Sequence, residues 1–152
     1  RYPDHTMKIY LDNSFLNRPF DDPAVAQNRL EGEILFSVMM LVERSEAELI
    51  HSAVIAYENA LNPFPDRRVF ITELMERAFR YQDVDDDVHR RASVLVKNSK
   101  IRPIDALHIA AAEAAGVDVF ITCDYSLLKK YKGVMLVMDP LSFIVYHEKR
   151  ND

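Results

Sequence analysis

Met7-Lys-Ile-Tyr-Leu-Asp12 decides the fold. Apolar and polar residues alternate as in a strand, and an acid closes the run. The residues after Asp12 are polar, and Asn17-Arg-Pro-Phe-Asp-Asp22 reads as a loop. Asp22 followed by Pro23 matches a helix start, with a capping side chain and then proline at the first helical position. That helix is predicted to reach about Arg44, because Val25, Leu30, Ile34, Val38, Leu41 and Val42 fall near a 3.6-residue period that Gly32 weakens. Phe36, Met39 and Met40 are placed in the core by the same spacing, with a self-association face as the alternative.

Strands and helices continue to alternate. Residues 47–51 form a strand, and Ser52 caps a helix through Glu58 that ends before the break Asn62-Pro-Phe-Pro65. Residues 66–80 form a helix with Val69, Ile71, Leu74, Ala78 and Phe79 inside, and residues 81–84 a short strand. Asp85 or Asp86 caps the next helix, with Val88, Ala92, Leu95 and Val96 inward. Pro103 opens a helix over 104–115, which Gly116 terminates. A buried strand over 117–122, a short helix ending at Lys129-Lys130, a strand over 134–138 and a last helix from Asp139-Pro140 to about Glu148 complete the chain. The expected fold is α/β, a mostly parallel sheet covered by helices on both faces. Met7 is the expected natural start, with residues 1–6 an added remnant, 7–148 a single domain and 149–152 a loose tail.

Composition excludes several classes. A chain of 152 residues, 49% hydrophobic and 28% charged, is long enough for one real core and too apolar for disorder. One cysteine, Cys123, excludes an internal disulfide and a multi-cysteine zinc site. The net charge of −5 argues against a generic DNA-coating protein. No apolar run is long enough to span a membrane and no signal peptide is visible, so the expected setting is cytoplasmic, away from membranes. Three glycines cannot build a phosphate-binding loop, and no Gly-x-Ser-x-Gly nucleophile motif is present.

The carboxylates carry the chemical signal. Parallel sheets hold ligands beyond the carboxyl ends of their strands. Asp12 closes the first strand, Asp124 follows the strand ending in Ile121-Thr122, Asp105 lies in the first turn of a helix, and Glu58 lies two turns into another. Asp105 and Asp124 can each be plain helix-start acids and Glu58 a solvated helix residue. Gathered at one edge, however, four such groups repel one another and call for a cation. Oxygen donors alone suit a hard ion, Mg2+ or Mn2+, which serves phosphoryl chemistry. His108 shares the helix face of Asp105 and is expected to be a core or supporting residue rather than a ligand.

Ile9-Tyr-Leu-Asp12-Asn-Ser14, His51-Ser52 with Glu58, Asp105-Ala-Leu-His-Ile-Ala110 and Ile121-Thr-Cys-Asp124 occur in the order found in a known family. Over residues 7–141 the chain resembles a PIN domain, the small metal-dependent nuclease fold of many VapC-type toxin–antitoxin pairs. The resemblance implies a three-layer α/β/α fold and ribonuclease activity with Mg2+ or Mn2+. It implies that Asp12, Glu58, Asp105 and Asp124 hold the metal and orient water. It places Ser14 at the hydroxyl or amide position shortly after the first acid and Thr122 at a threonine that hydrogen-bonds near the site. Asp12-Asn13-Ser14 departs from the Asp-Thr-Asn common in the family, which leaves the roles of Asn13 and Ser14 open. An antitoxin protein and a homodimer are further implied partners.

An RNA substrate needs cations around the acids. The candidates are Lys97, Lys100 and Arg102 before Asp105, and Lys129, Lys130 and Lys132 after Asp124, each of which can also be a solvated surface charge. Arg18 can meet a phosphate or pair with Asp21 or Asp22. The leading reading is a metal-dependent endoribonuclease. The alternatives are a DNA nuclease or phosphatase using the same acids, and a catalytically weak RNA-binding or structural module.

Overall fold

The computed structural model describes residues 5–151. Residues 1–4 of the expected remnant and Asp152 of the expected tail lie outside them. β1 (Met7–Leu11) runs through the middle of the sheet, with Ile9, Tyr10 and Leu11 fully buried. A strand covered on both faces needs an almost unbroken apolar run, and this one has it. β2 (Ala47–Ser52) lies on one side of β1 and β4 (Val119–Ile121) on the other. β3 (Arg80–Gln82) and β5 (Leu136–Met138) are the edges. The order is β3-β2-β1-β4-β5, and every pairing is parallel. Both edge strands have three residues, which limits the unpaired backbone they present.

Among the described residues eight α-helices cover the sheet: α1 (Asn13–Leu16), α2 (Ala26–Glu43), α3 (Ala53–Ala60), α4 (Pro65–Met75), α5 (Asp86–Ser99), α6 (Pro103–Ala114), α7 (Tyr125–Lys130) and α8 (Pro140–Arg150). The architecture is three-layer α/β/α. α6 packs on β2 and β3 and against α3 and α5, whereas α2 packs on β2 and against α8, which touches β4. α6 approaches closely because Ala106, Ala110, Ala111 and Ala112 are small and buried. No helix among the described residues is long and apolar enough to cross a membrane.

Ser52 and Asp85 cap α3 and α5 as expected, each accepting a backbone N–H three residues on. Other local expectations are corrected. The segment after β1 is not an open loop: α1 buries Phe15 and Leu16, and Arg18–Phe20 forms a 3-10 turn. Asp22 does not cap α2; its carboxylate accepts from the Ala24 N–H in a turn, and α2 starts at Ala26 without a side-chain cap. Gly32 has a packing reason, because a Cβ there would stand 3.2 Å from Pro19 Cα in the 3-10 turn. Ile34, Leu35, Val38 and Met39 face the core, while Val25, Leu30, Phe36 and Met40 are exposed. α4 stops at Met75, so its inner residues are Ile71, Leu74 and Met75, with Val69 and Phe79 exposed. The Phe79 N–H already joins the sheet by donating to the Leu49 carbonyl at 2.8 Å. Val96 is at the surface of α5.

Candidate functional site

The chain leaves β1 for β2 and β3 on one side and later returns to β4 and β5 on the other. The sheet order therefore reverses between β1 and β4, where open parallel sheets form a crevice. Asp12 and Asp124 stand at the two strand ends that flank this point. Asp12 is almost fully buried and caps α1 by accepting from the Asn13 N–H at 2.9 Å. Its other oxygen accepts from Thr122 at 2.7 Å and from Ser14 at 2.9 Å. The Thr122 hydroxyl oxygen accepts from the Asp124 N–H at 2.9 Å, and Ser14 Oγ accepts from the Cys123 N–H at 3.0 Å. Two hydroxyls thus tie the ends of β1 and β4 together around one carboxylate. Asp124 is half-buried and caps α7, accepting from the Ser126 N–H at 3.0 Å.

Asp105 reaches the same edge from the first turn of α6. Burial pushes its carboxyl above the ordinary value, and the charge of Asp12 pushes the same way. The Arg102 guanidinium, donating to Asp105 Oδ2 at 2.9 Å, works against both. Arg102 is itself held above its ordinary value by the hydrogen bond and charge of Asp105, with further contributions from Asp124 and Asp12. One exposed guanidinium thus experiences the field of three acids.

Glu58 is tied down from another direction. Tyr10 and His108 are fully buried, and a hydrogen-bonded chain runs from Ser52 Oγ to Tyr10 Oη (2.7 Å), to His108 Nδ1 (2.6 Å), and from His108 Nε2 to Glu58 Oε1 (2.5 Å). The hydrogen-bond network is satisfied if Ser52 donates to Tyr10, Tyr10 donates to Nδ1, and Nε2–H donates to the carboxylate. Burial first, then the charges of Asp12 and Glu58, keep the Tyr10 phenol well above its ordinary value, so it stays a donor. His108 is therefore a buried residue that holds Glu58.

Asp12, Asp105 and Asp124 come to one edge, with Glu58 beside them through His108. Among the described residues no three His, Cys, Asp or Glu side chains stand close enough to form a metal cluster. The donor set nevertheless suits a hard cation. It offers only carboxylate oxygens, one of them raised by burial and by its neighbour, with Arg102 as the compensating charge.

Arg18 takes the pairing option. It donates to Glu31 at 2.9 Å and to Asp21 at 3.0 Å. Glu31, buried on α2, also accepts from Tyr125 at 2.8 Å and so joins the turn after α1 to α7. Sequence reading missed Glu31, Tyr10 and Ser52 as site supports. An acid beside Gly32 on an apolar helix face was the available signal for Glu31. Lys97, Lys100, Lys129 and Lys132 are exposed and Lys130 is half-buried; none of them makes an ion pair among the described residues.

The PIN domain family model matches residues 9–133. The chain belongs to the PIN domain family. Two solved structures share the fold: VapBC2 from Rickettsia felis bound to a DNA fragment from their promoter, and DNA-bound VapBC from Salmonella typhimurium. The first is 10% identical with a TM-score of 0.58, covering 88% of this chain and 98% of that one. The second is 15% identical with a TM-score of 0.58, covering 89% and 99%. No curated protein matches the sequence.

Proposed function

We propose that this PIN domain is a divalent-metal-dependent endoribonuclease that hydrolyses RNA phosphodiester bonds, and that it is the toxin of a toxin–antitoxin pair. One observation carries the reading. Asp12 and Asp124 end the strands that flank the switch point of the sheet, and Asp105 opens α6 at the same edge, where burial and the charge of Asp12 raise its carboxyl against the Arg102 guanidinium. Asp12, Asp105 and Asp124 would hold the ion, with Glu58 positioned by His108 at its side. When bound, Mg2+ or Mn2+ supplies a Lewis acid for water and for a phosphodiester oxygen. Thr122 and Ser14 fix the rotamer of Asp12. Arg102 donates to Asp105, and its exposed guanidinium suits a phosphate. Lys100 and Lys129, exposed and outside any ion pair among the described residues, suit the RNA backbone. The two VapBC neighbours support an antitoxin partner.

The test is RNA cleavage with Mg2+ or Mn2+ by the native chain, Asp12→Asn and Asp105→Asn, each checked for an intact circular dichroism spectrum. Both variants should lose cleavage. A divalent ion at about 100 times its Kd should stabilise the native chain by about 2.7 kcal/mol. Cleavage that survives Asp12→Asn refutes the reading. Cleavage of DNA alone moves the activity to a DNA nuclease. The open arrangement of the four acids favours one second reading, a catalytically weak RNA-binding module, which RNA binding without cleavage would support.

A further inference from the structure

A cleft of about 510 Å³ opens beside the acids, with Asn13, Ser14, Glu58, Asn62, Phe64 and Arg67 among its walls. It is contiguous with the proposed catalytic edge, since Ser14 bonds Asp12 and Glu58 is the acid held by His108. Its outer wall is Phe64. Pro63 and Pro65 flank this residue and restrict the backbone on both sides. The Phe64 N–H donates to Asn62 Oδ1 at 3.1 Å, and the Asn62 carbonyl accepts from Arg68 at 2.7 Å. The Arg67 guanidinium lies 4.9 Å from the Phe64 ring centre and 5.7 Å from that of Phe20. These contacts hold the Phe64 backbone, and the ring, with Arg67 beside it, is 55% exposed.

The polar groups of the cleft are sorted just as narrowly. Both guanidiniums are engaged: Arg18 by Glu31 and Asp21, and Arg67 by Asp21 at 3.3 Å and the Phe20 carbonyl at 3.0 Å. A phosphate entering here would find no free cation. The amides form a relay. Asn62 Nδ2 donates to Asn17 Oδ1 at 3.0 Å, and Asn17 Nδ2 donates to Asn13 Oδ1 at 2.9 Å. The relay fixes the Asn13 amide with its oxygen towards Asn17. Asn13 Nδ2 is then an amide donor with no hydrogen-bond partner among the described residues. An exposed aromatic ring with a guanidinium packed on it, a free amide edge and compensated charges suit an uncharged planar heterocycle, which is how proteins take up unstacked RNA bases.

The geometry points to this cleft as the seat of one unpaired RNA base next to the scissile phosphate, stacked on Phe64 and contacted at its edge by Asn13. The assignment rests on RNA being the substrate and extends that reading from cleavage to base recognition. Fluorescein-labelled single-stranded hexamers of A, C, G and U, titrated against the Asp12→Asn protein and its Phe64→Ala and Phe64→Trp derivatives, test it by anisotropy in EDTA. Phe64→Ala should weaken the preferred hexamer by about 5- to 100-fold, and Phe64→Trp should restore it. Asn13→Ala should narrow the spread of affinity among the four hexamers. Since Phe64 is largely exposed, an unchanged melting temperature is expected for both Phe64 variants. Equal binding by the Phe64→Ala and parent proteins, or no binding by either, overturns the assignment. Asp12-dependent cleavage with no Phe64 effect removes the base seat and leaves the nuclease. A Phe64 effect on binding without cleavage by the native chain removes the nuclease and leaves the seat.

Discussion

Tyr10→Phe isolates the buried chain that holds Glu58. The substitution keeps the ring and its stacking on Phe120, whose centre lies 5.2 Å away, and removes one oxygen. That oxygen bonds Ser52 at 2.7 Å and His108 Nδ1 at 2.6 Å, both inside the core. Ser52 Oγ still accepts from the Ile55 N–H, so its oxygen stays satisfied. His108, with no exposed surface, loses its only partner at Nδ1 among the described residues. An orphaned buried polar group costs about 1–3 kcal/mol, and losing the Ser52 bond adds about 1 kcal/mol. The expected loss is therefore about 2–4 kcal/mol, or about 5–15 °C in melting temperature for a chain of this size. Urea unfolding at pH 7, with the slope compared between variants, measures it. A loss below about 0.5 kcal/mol would refute the chain as drawn, because such a loss is ordinary for a surface change. A double-mutant cycle with Glu58→Gln should show coupling, since both groups bond the same imidazole.

Glu113 gives the pH dependence. Burial pushes its carboxyl up, but the Arg91 and Tyr131 hydrogen bonds outweigh it and hold it below 4.5. An acid depressed in the folded state contributes stability that is present above its unfolded value and lost as pH falls through the folded one. Glu113→Gln should therefore lower the urea midpoint at pH 7, and the gap to the native chain should narrow as the pH falls below 4.5. The Cys123 thiol, pushed up to about 12 mainly by burial, should resist iodoacetamide at pH 8 in the folded chain and react on unfolding, as mass spectrometry would show. Gly32→Ala should lower the melting temperature despite better helix propensity, because the new methyl meets the Pro19 backbone rather than a flexible side chain.

The sheet and its acids were legible because they depend on local pattern. Ile9, Tyr10 and Leu11 form an apolar run that only a central strand can use, and Ser52, Asp85 and Pro103 mark helix starts by short-range chemistry. Asp12, Asp105 and Asp124 were traceable because strand ends and first helical turns are positions the topology brings together. The failures have a different origin. Asp22-Pro23 has the signature of a helix start, yet the 3-10 turn over Arg18–Phe20, packed against Gly32, delays α2 to Ala26. Phe36 and Met40 fit the helical period but lie on the side of α2 that the core does not reach. Pairings such as Arg18 with Glu31, and Tyr10 with His108, span 13 and 98 positions and leave no periodic trace. The cleft is hidden for the same reason, since it joins Asn13 of α1 to Asn62 and Phe64 of the loop before α4.

The hydroxyl clasp around Asp12 bears on how the protein emerges from a ribosome. Thr122 follows Asp12 by 110 positions, and β4 cannot pair with β1 until most of the chain has left the exit tunnel. Until then Asp12 sits at the end of a strand lacking one neighbour, its carboxylate without the Thr122 bond. Such long-range closure is slow to form. A chain that has not yet released β4 would thus lack the closed clasp, and the acidic edge would assemble only after β4 joins β1.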